Sequence, residues 1–337
     1  MKSFLRTIFV LAFGLTSCRN SSRDWPVEKT HFLMDTLVRV SVYDRRMPKR
    51  RIEAVIDHAL KVMEEIEARA SIYVDTSDIS RVVKSSGQNS VRVSSEIHGL
   101  LQQSVEVSEK TRGAFDVTVG VVKKLWGFET DRPRVPDGIL LSSLLSRVDY
   151  RKIDLRDADV FLREPGMCID LGGIAKGYII DRGVAVLQEE GIRSGIIDAG
   201  GDLRAFGSHP EGRMWKFGIQ HPRGKRGELI GVIETEGAGI ATSGDYERYF
   251  IQEGKRYHHI LDPKTGFPAR GCVSVTMVAE SALLADAYAT AVFVMGPEEG
   301  MALIESIPSL EGMIVYEEEG ELRHVTSDGF LEKIHFQ

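Results

Sequence analysis

Cysteine is scarce in this chain, with only Cys18, Cys168 and Cys272 among 337 residues. Cysteines so few and so far apart exclude a disulfide framework and a zinc site built from paired cysteines. Basic charge is not in excess either, since the formal net charge is -6, which argues against a broad surface for nucleic acid. A composition of 42% hydrophobic and 27% charged residues is instead typical of a globular protein with a sizeable core.

Long apolar runs are also absent, and the one short run lies at the N-terminus. Two basic residues precede it, and residues 15–18 read Leu-Thr-Ser-Cys. This ending resembles the bacterial lipobox, in which Cys18 would carry a diacylglycerol and hold the protein to a membrane. The alternative is an N-terminal strand, disordered or buried, with an incidental cysteine. The lipoprotein interpretation predicts a signal peptide over 1–17, a lipidated tether over 18–30 and a folded body over 31–337, exported from the cytoplasm.

The body alternates strand-like and helix-like patterns. Residues 32–43 are rich in valine and leucine and predict a strand. Apolar residues at three- and four-residue spacing over 52–66 predict an amphipathic helix, and Ser95 is a candidate N-cap of another. Two further helices are predicted over residues 174–190 and 282–293. These patterns predict an α+β fold of mixed, largely antiparallel sheets with flanking helices, with residues 131–136 as the candidate boundary between two lobes.

A glycine-containing turn follows a short apolar strand at residues 170–178, which read Asp-Leu-Gly-Gly-Ile-Ala-Lys-Gly-Tyr. Its glycines let the backbone turn tightly and approach a ligand, and the first N–H groups of the following helix favour an anion. Lys176 adds a positive charge, so the segment could hold a phosphate. The alternative is an ordinary strand-to-helix corner in which Asp170 caps the helix and Lys176 is solvated. The segment by itself favours neither.

A carboxylate and a hydroxyl share one face of the predicted helix over 282–293, because Asp286 and Thr290 are four residues apart. Hard oxygen ligands suit Mg²⁺, which takes one or two carboxylates from protein and completes its shell with water and substrate phosphate. For the pair in isolation, a simpler interpretation is that Asp286 pairs with a cation and Thr290 bonds back to its own helix.

The densest polar cluster lies at residues 242–246 and 257–266, on what read as two neighbouring strands. His259 could accept a hydroxyl proton near neutral pH, and Asp262 could orient it or help to hold a metal. The alternative is a turn at Asp262, with His258 and His259 on opposite faces of a strand, one buried and one exposed.

Taken together and in order, these segments resemble the ApbE family of FAD:protein FMN transferases. The resemblance covers nearly all of the chain after the tether. It is carried by Met34-Asp35-Thr36, Ser71-Ile72-Tyr73, Gly113-Ala114-Phe115-Asp116, Leu125-Trp126-Gly127-Phe128, residues 170–178, Ala199-Gly200-Gly201-Asp202, Thr242-Ser243-Gly244-Asp245-Tyr246, His259-Ile260-Leu261-Asp262-Pro263 and residues 286–290. Each motif is weak by itself, but the ordered set is specific.

The resemblance implies a site for FAD, a bound Mg²⁺ and a small set of catalytic residues. FAD would be lined by Met34, Tyr73, Ala114, Phe115, Asp116, Asp170, Lys176 and Ile260. Mg²⁺ would be held by Asp286 and Thr290, with a backbone oxygen near Gly173 as a further ligand. His259 would be the base or orienting group, supported by Asp262, and Lys176 would assist the transfer.

The implied reaction is attack by a threonine or serine hydroxyl of an exported flavoprotein on the FMN-side phosphorus of FAD, with release of AMP. The acceptor would be a flavoprotein subunit of a membrane electron-transfer complex. One alternative is an FAD pyrophosphatase, in which water replaces the acceptor and free FMN is released. Another is a flavin-binding lipoprotein without catalysis, although mere binding does not require Asp286, Thr290 and His259.

Overall fold

The computed structural model describes residues 25–225 and 227–337. The predicted signal peptide and Cys18 lie outside these residues. The α-helices are α1 (Lys49–Ala70), α2 (Asp78–Lys84), α3 (Ser95–Lys110), α4 (Gly120–Trp126), α5 (Gly138–Leu145), α6 (Ala175–Glu189), α7 (Ala282–Met295), α8 (Pro297–Ser306) and α9 (Asp328–Leu331). The strands are β1 (Val27–Leu33), β2 (Thr36–Val42), β3 (Val91–Arg92), β4 (Ile153–Arg156), β5 (Asp159–Leu162), β6 (Gly195–Ala199), β7 (Asp202–Phe206), β8 (Trp215–Gln220), β9 (Leu229–Thr235), β10 (Gly239–Gly244), β11 (Tyr249–Gln252), β12 (Lys255–His258), β13 (Ser274–Ala279), β14 (Leu310–Glu318), β15 (Glu321–Thr326) and β16 (Ile334–Phe336).

One large sheet organises the molecule. Eight strands pair in the order β1-β2-β6-β7-β10-β13-β14-β15, and every pairing is antiparallel. Two three-stranded sheets, β16-β9-β8 and β3-β5-β4, and the β11–β12 hairpin are antiparallel as well. The α+β class with largely antiparallel sheets and flanking helices is therefore confirmed.

The helices that carry the predicted site pack directly on this sheet. Helix α7 lies against β10 and β13, α6 packs against α7, β6 and β7, and α1 covers α6. Helix α7 is buried on most sides because small residues dominate it, and Ala285, Ala287 and Ala289 are wholly inaccessible to solvent. Small side chains let neighbouring backbones approach closely, so α7 is held firmly in the core.

The predicted bounds of α6 and α7 are confirmed to within two residues, but the single strand predicted over 32–43 is wrong. The chain instead folds back between β1 and β2, and Met34 and Asp35 form a two-residue turn with φ of 54° and 57°. A hairpin turn of this kind needs two left-handed residues and is usually signalled by glycine or asparagine. Positions 34 and 35 hold neither glycine nor asparagine, so the sequence gives no local signal for this turn.

Three smaller expectations have mixed outcomes. Ser94, rather than Ser95, is the N-cap of α3, because its hydroxyl oxygen accepts the N–H of Ile97 at 3.4 Å. In agreement with the excluded disulfide framework, Cys168 and Cys272 are buried free thiols within the described part of the chain. The predicted lobe boundary at 131–136 lies in the loop between α4 and α5, and the division into two lobes stays a prediction.

Across residues 25–225 and 227–337, no helix combines the length and apolar character needed to cross a membrane.

Candidate functional site

A cavity of about 690 Å³ lies where the β1–β2 turn, the β6–β7 turn and the glycine turn before α6 meet. This volume is in the range of sites for small molecules and cofactors. Its lining includes every residue that the resemblance assigned to FAD, namely Met34, Tyr73, Ala114, Phe115, Asp116, Asp170, Lys176 and Ile260. Gly173, His259, Asp286 and Thr290 line the same cavity. The tertiary structure thus brings together segments up to about 250 residues apart.

Asp286 is a buried carboxylate at the inner end of the cavity. It is 6% exposed, and its Oδ2 accepts the N–H of Gly177 at 3.0 Å. Burial and the nearby Asp202 carboxylate raise the pKa of Asp286 to about 7. Lys176 pairs with Asp202 at 2.5 Å, and although burial opposes its charge, the neighbouring carboxylates raise the pKa of Lys176. At the inner end of the cavity, two carboxyl groups, those of Asp286 and Asp202, therefore lie near one cation, Lys176.

The oxygen atoms near Asp286 are of the chemical kind that Mg²⁺ prefers. Thr290 lies one turn further along α7, with its hydroxyl 3.3 Å from that of Ser243. The backbone of Gly173 comes so close that a Cβ added there would lie 3.1 Å from Thr290 Oγ1. A bound cation would offset the cost of burying the Asp286 charge. Among the described residues, no group of three or more His, Cys, Asp and Glu side chains could hold a metal, so hydroxyl, backbone and substrate oxygens would complete this shell.

His258 and His259 occupy different environments. His258 ends β12, lies in the core edge-on to Phe293, and has its Nε2 3.0 Å from the carbonyl oxygen of Ala269. His259 lines the cavity, and its Nδ1 lies 3.3 Å from the carbonyl oxygen of Arg248. Because a carbonyl only accepts, this contact puts the proton on Nδ1 and leaves Nε2 as an acceptor.

The electrostatic surroundings keep the imidazole of His259 neutral. Burial, followed by the neighbouring Lys123 cation, lowers the pKa of His259 to about 3. The side chain is nevertheless partly exposed on its cavity side. A neutral imidazole with a free Nε2 can accept a hydrogen bond from a hydroxyl that enters the cavity.

Asp262, the predicted support of His259, has its side chain in a turn and not in the cavity lining. Its Oδ1 accepts the N–H of Lys264 at 2.9 Å, and its Oδ2 accepts the hydroxyl of Thr265 at 3.1 Å. The flanking residues Leu261 and Pro263 do line the cavity. Asp262 therefore shapes the loop that follows His259, as the turn interpretation of this segment anticipated.

Two of the predicted FAD residues, Asp116 and Phe115, also have structural contacts, whereas a third, Tyr73, is exposed. Asp116 accepts the N–H and hydroxyl of Thr118 and the N–H of Tyr150, at 2.6 to 2.9 Å, and burial raises its pKa. Phe115 is buried, and its ring lies over Gly173. Tyr73, by contrast, is 71% exposed and stands at the cavity mouth. Phe115 and Tyr73 thus offer aromatic surface at the inner wall and at the entrance.

Several cavity residues were not predicted from the sequence. Lys123 on α4 pairs with Asp170 and lies 47 residues before it in the chain. Arg248 pairs with Asp35 of the β1–β2 turn at 3.3 Å and with Glu129 at 3.6 Å. None of these pairings has a local sequence signal, because the partners come from separate elements that only the fold brings together.

Comparisons with known proteins identify the family of this chain. The ApbE family matches residues 34–314. An FAD:protein FMN transferase from Treponema pallidum is 34% identical over 319 residues, covering 90% of this chain and 88% of that protein. One from Vibrio cholerae is 34% identical over 272 residues, covering 79% of this chain and 81% of that protein.

Solved structures show the same relationship. The crystal structure of the ApbE protein from Thermotoga maritima superposes with a TM-score of 0.83 at 35% identity, covering 91% of this chain and 98% of that chain. The flavin transferase ApbE from Vibrio cholerae gives a TM-score of 0.81 at 28% identity, with the same coverage of both chains. Because the family model matches most of the chain, and relatives and solved structures agree over most of their lengths, this chain belongs to the ApbE family.

Proposed function

We propose that this protein is an FAD:protein FMN transferase that moves FMN from FAD to a threonine or serine hydroxyl of an acceptor protein and releases AMP. The observation that carries this proposal is a single cavity in which Asp286, Thr290, Lys176 and a neutral His259 lie together. The names of the curated relatives support the same activity.

Binding of FAD would use aromatic surface for the rings and cationic donors for the diphosphate. Tyr73 presents an exposed aromatic face, and the almost fully buried ring of Phe115 lines the cavity wall. The ammonium group of Lys176 lies near the glycine turn, where its positive charge favours a phosphate. Lys176 is already paired with Asp202, so its donors are oriented before the substrate arrives.

Because carboxylates outnumber cationic side chains in the cavity lining, an added cation would strengthen the binding of a diphosphate. Asp286, Thr290 and the backbone of Gly173 are the residues that would hold Mg²⁺. When bound, the ion would supply neutralisation of the charge that builds on the phosphoryl oxygens. Lys176 would add its own positive charge to that of the ion near the diphosphate.

The transfer itself exchanges one P–O bond for another. The acceptor hydroxyl oxygen bonds to the FMN-side phosphorus, and the bond from that phosphorus to the bridging oxygen breaks, so AMP leaves with the bridging oxygen. His259 Nε2 accepts the hydrogen bond of the attacking hydroxyl and takes its proton as the new bond forms. The anionic diphosphate beside it offsets the cost of charging the imidazole.

The same cavity would also serve an FAD pyrophosphatase, and one observation supports this second activity. Tyr73 at the mouth is largely exposed, so water can reach the cavity when no acceptor covers it. We propose hydrolysis as the slower reaction, because water, unlike a docked acceptor hydroxyl, is not held in line with the phosphorus.

The decisive experiment incubates the full chain in detergent with FAD, Mg²⁺ and a flavoprotein acceptor domain, and measures acceptor mass and AMP. An acceptor heavier by one FMN less water, with matching AMP, supports the transferase, and Asp286→Ala should abolish both products. AMP and free FMN with an unmodified acceptor would support the pyrophosphatase. FAD that binds but stays intact would support the binding protein.

We also propose that the protein is an exported lipoprotein, on the basis of the N-terminal sequence pattern alone. In cells grown with a labelled fatty acid, the wild-type chain should carry the label and fractionate with membranes. Cys18→Ala should lose the label and leave the membrane fraction. An unlabelled wild-type chain would contradict the proposal.

A further inference from the structure

A buried ion pair lies beside the glycine turn and has no assigned role. Lys123 reaches from α4 to Asp170, with its Nζ 3.0 Å from Oδ1 and 2.9 Å from Oδ2. The two side chains are only 17% and 12% exposed. Asp170 Oδ1 also accepts the N–H of Gly172 at 2.9 Å. The carboxylate expected to line FAD is therefore engaged with donors of the protein itself.

The ammonium group of Lys123 has one more donor than this pairing uses. It carries three N–H bonds, and Asp170 accepts at most two of them. Within residues 25–225 and 227–337 no further acceptor hydrogen-bonds to it, since Glu129 Oε1 lies 3.6 Å away. The Nζ atom is 3.3 Å from the position of a Cβ added to Gly172, and Lys123 lines the cavity. A donor is thus left over at the turn where an anion would bind.

The remaining N–H donor of Lys123 matters for an anionic ligand because the cavity has few cations. Its carboxylates are Asp35, Glu67, Asp116, Glu129, Asp170, Asp202, Glu247 and Asp286, whereas its cationic side chains are Lys123, Lys176 and Arg248. Lys176 pairs with Asp202, and Arg248 lies between Asp35 and Glu129. Lys123 pairs with Asp170 and lies 3.6 Å from Glu129, and it is the cation of this lining that lies beside Gly172.

We propose that Lys123 is a second phosphate-binding residue of this enzyme, which donates its remaining N–H to an oxygen of the FMN-side phosphate of FAD. Asp170 acts as a positioning residue that holds Lys123 in place. The inference rests on the proposed function. The proximity of Lys123 to His259, whose pKa it helps to lower, is consistent with the FMN-side phosphate as its partner.

The test measures ligand binding without turnover, in EDTA, for FAD, FMN and riboflavin by equilibrium dialysis. The key variant is Lys123→Met combined with Asp170→Asn, because it removes both charges and leaves no unpaired buried carboxylate. A hydrogen bond to a charged group contributes about 1.5–3 kcal/mol, so FAD and FMN should bind about tenfold to a hundredfold more weakly. Riboflavin, which has no phosphate, should bind as it does to the wild type.

Two further variants sharpen the comparison. Lys123→Arg should restore part of the lost affinity for FMN, since it keeps a cationic donor. Lys124→Met is the matched control, because this lysine is the next residue of α4 and is exposed; it should bind all three ligands like the wild type. The fold of each variant is checked by circular dichroism.

Either of two results would overturn the proposal. If the double variant binds FAD and FMN as tightly as the wild type does, then Lys123 only neutralises Asp170. An equal loss for riboflavin would mean that the lysine supports the flavin site or the fold and not a phosphate. Because AMP release by the wild type is assayed separately, a protein that binds FAD without transferring FMN would refute the proposed function and leave the Lys123 contact standing.

Discussion

His258 and His259 differ in role because successive side chains at a strand end point to opposite sides. The sequence pattern anticipated that one would be buried and one exposed. It could not say which, because that depends on which face of the β11–β12 hairpin meets the core. In the structure, His258 packs on Phe293 and His259 enters the cavity.

His259→Asn should lower the rate of AMP release from FAD by about 10²–10⁴-fold, because it removes the proton acceptor. The asparagine amide can still donate to the Arg248 carbonyl, so the fold should be kept. The matched control is His258→Asn, which should lower the melting temperature but leave the rate per folded molecule close to that of the wild type. Equal losses of rate in the two variants would contradict the assignment.

Asp286 gives the metal-free protein a distinct pH dependence. Burial and Asp202 raise its pKa to about 7, whereas in the unfolded chain an aspartate has a pKa of about 3.9. The folded state therefore binds a proton that the unfolded state has released. Its contribution to the free energy of unfolding is fully present below about pH 4 and is lost as the pH rises through about 7.

In EDTA at pH 8, Asp286→Asn should therefore unfold at a higher urea concentration than the wild type, with a free energy of unfolding larger by on the order of a few kcal/mol. The difference should shrink as the pH falls below about 4, where the wild-type side chain becomes protonated in the unfolded as well as the folded state. Urea denaturation at a series of pH values measures it. Parallel pH profiles for the two proteins would show that Asp286 does not titrate in this range.

At the scale of elements, the close crossing of α6 and α7 positions the inner end of the cavity. A Cβ on Gly177 would lie 2.2 Å from the carbonyl oxygen of Ala282 and 2.7 Å from the Cα of Leu283. Asp181 of α6 accepts the N–H groups of Ala282 and Leu283 and so caps α7. The first turns of the two helices are thereby held together beside Asp286.

Gly177→Ala should separate these helices and displace Asp286 from Lys176. We expect destabilisation of about 1–3 kcal/mol, as for other overpacked cores, together with loss of AMP release. Gly183→Ala is the control on the same helix, because the nearest atom to its added Cβ is the Sδ of the flexible Met63 side chain. That variant should keep its activity at temperatures where it is folded. Full activity of folded Gly177→Ala would show that the crossing does not place the site.

Helices and strands could be predicted where the residues that indicate them lie close together in the sequence. The apolar stripe of α1 and the serine, glycine and alanine patterns around α6 and α7 depend on residues a few positions apart, and these helices were placed within a few residues. The β1–β2 turn was missed because Met34 and Asp35 adopt left-handed backbone conformations without glycine. Contacts with the rest of the fold, rather than local preference, hold them there, including the 2.7 Å hydrogen bond from the Met34 N–H to Glu67 of α1.

At the scale of the whole molecule, the cavity joins segments that extend from Met34 to Thr290. A ligand that fills it contacts β1–β2, α1, α6, β10 and α7 at once. Because such a ligand binds only the folded state, it should stabilise the entire fold and not one element.

FAD at about 100 times its dissociation constant should therefore raise the free energy of unfolding by about 2.7 kcal/mol. In EDTA, differential scanning fluorimetry should show a higher melting temperature with FAD and smaller rises with FMN or AMP at the same concentration, since each fills only part of the cavity. If AMP raised the melting temperature as much as FAD does, the binding energy would come from the adenylate half of FAD alone, which would contradict this prediction.

The sequence by itself determined the fold class, the main helices and the family, because hydrophobic periodicity, capping residues and ordered motifs are written in neighbouring residues. Through the resemblance it also predicted residues for an FAD site and a Mg²⁺ site, and His259 as the histidine that acts. Only the tertiary structure showed how His258 is buried while His259 reaches the cavity, that Asp262 stays in its turn, and that Lys123 pairs with Asp170. These outcomes depend on contacts between residues far apart in the chain, which no local pattern encodes.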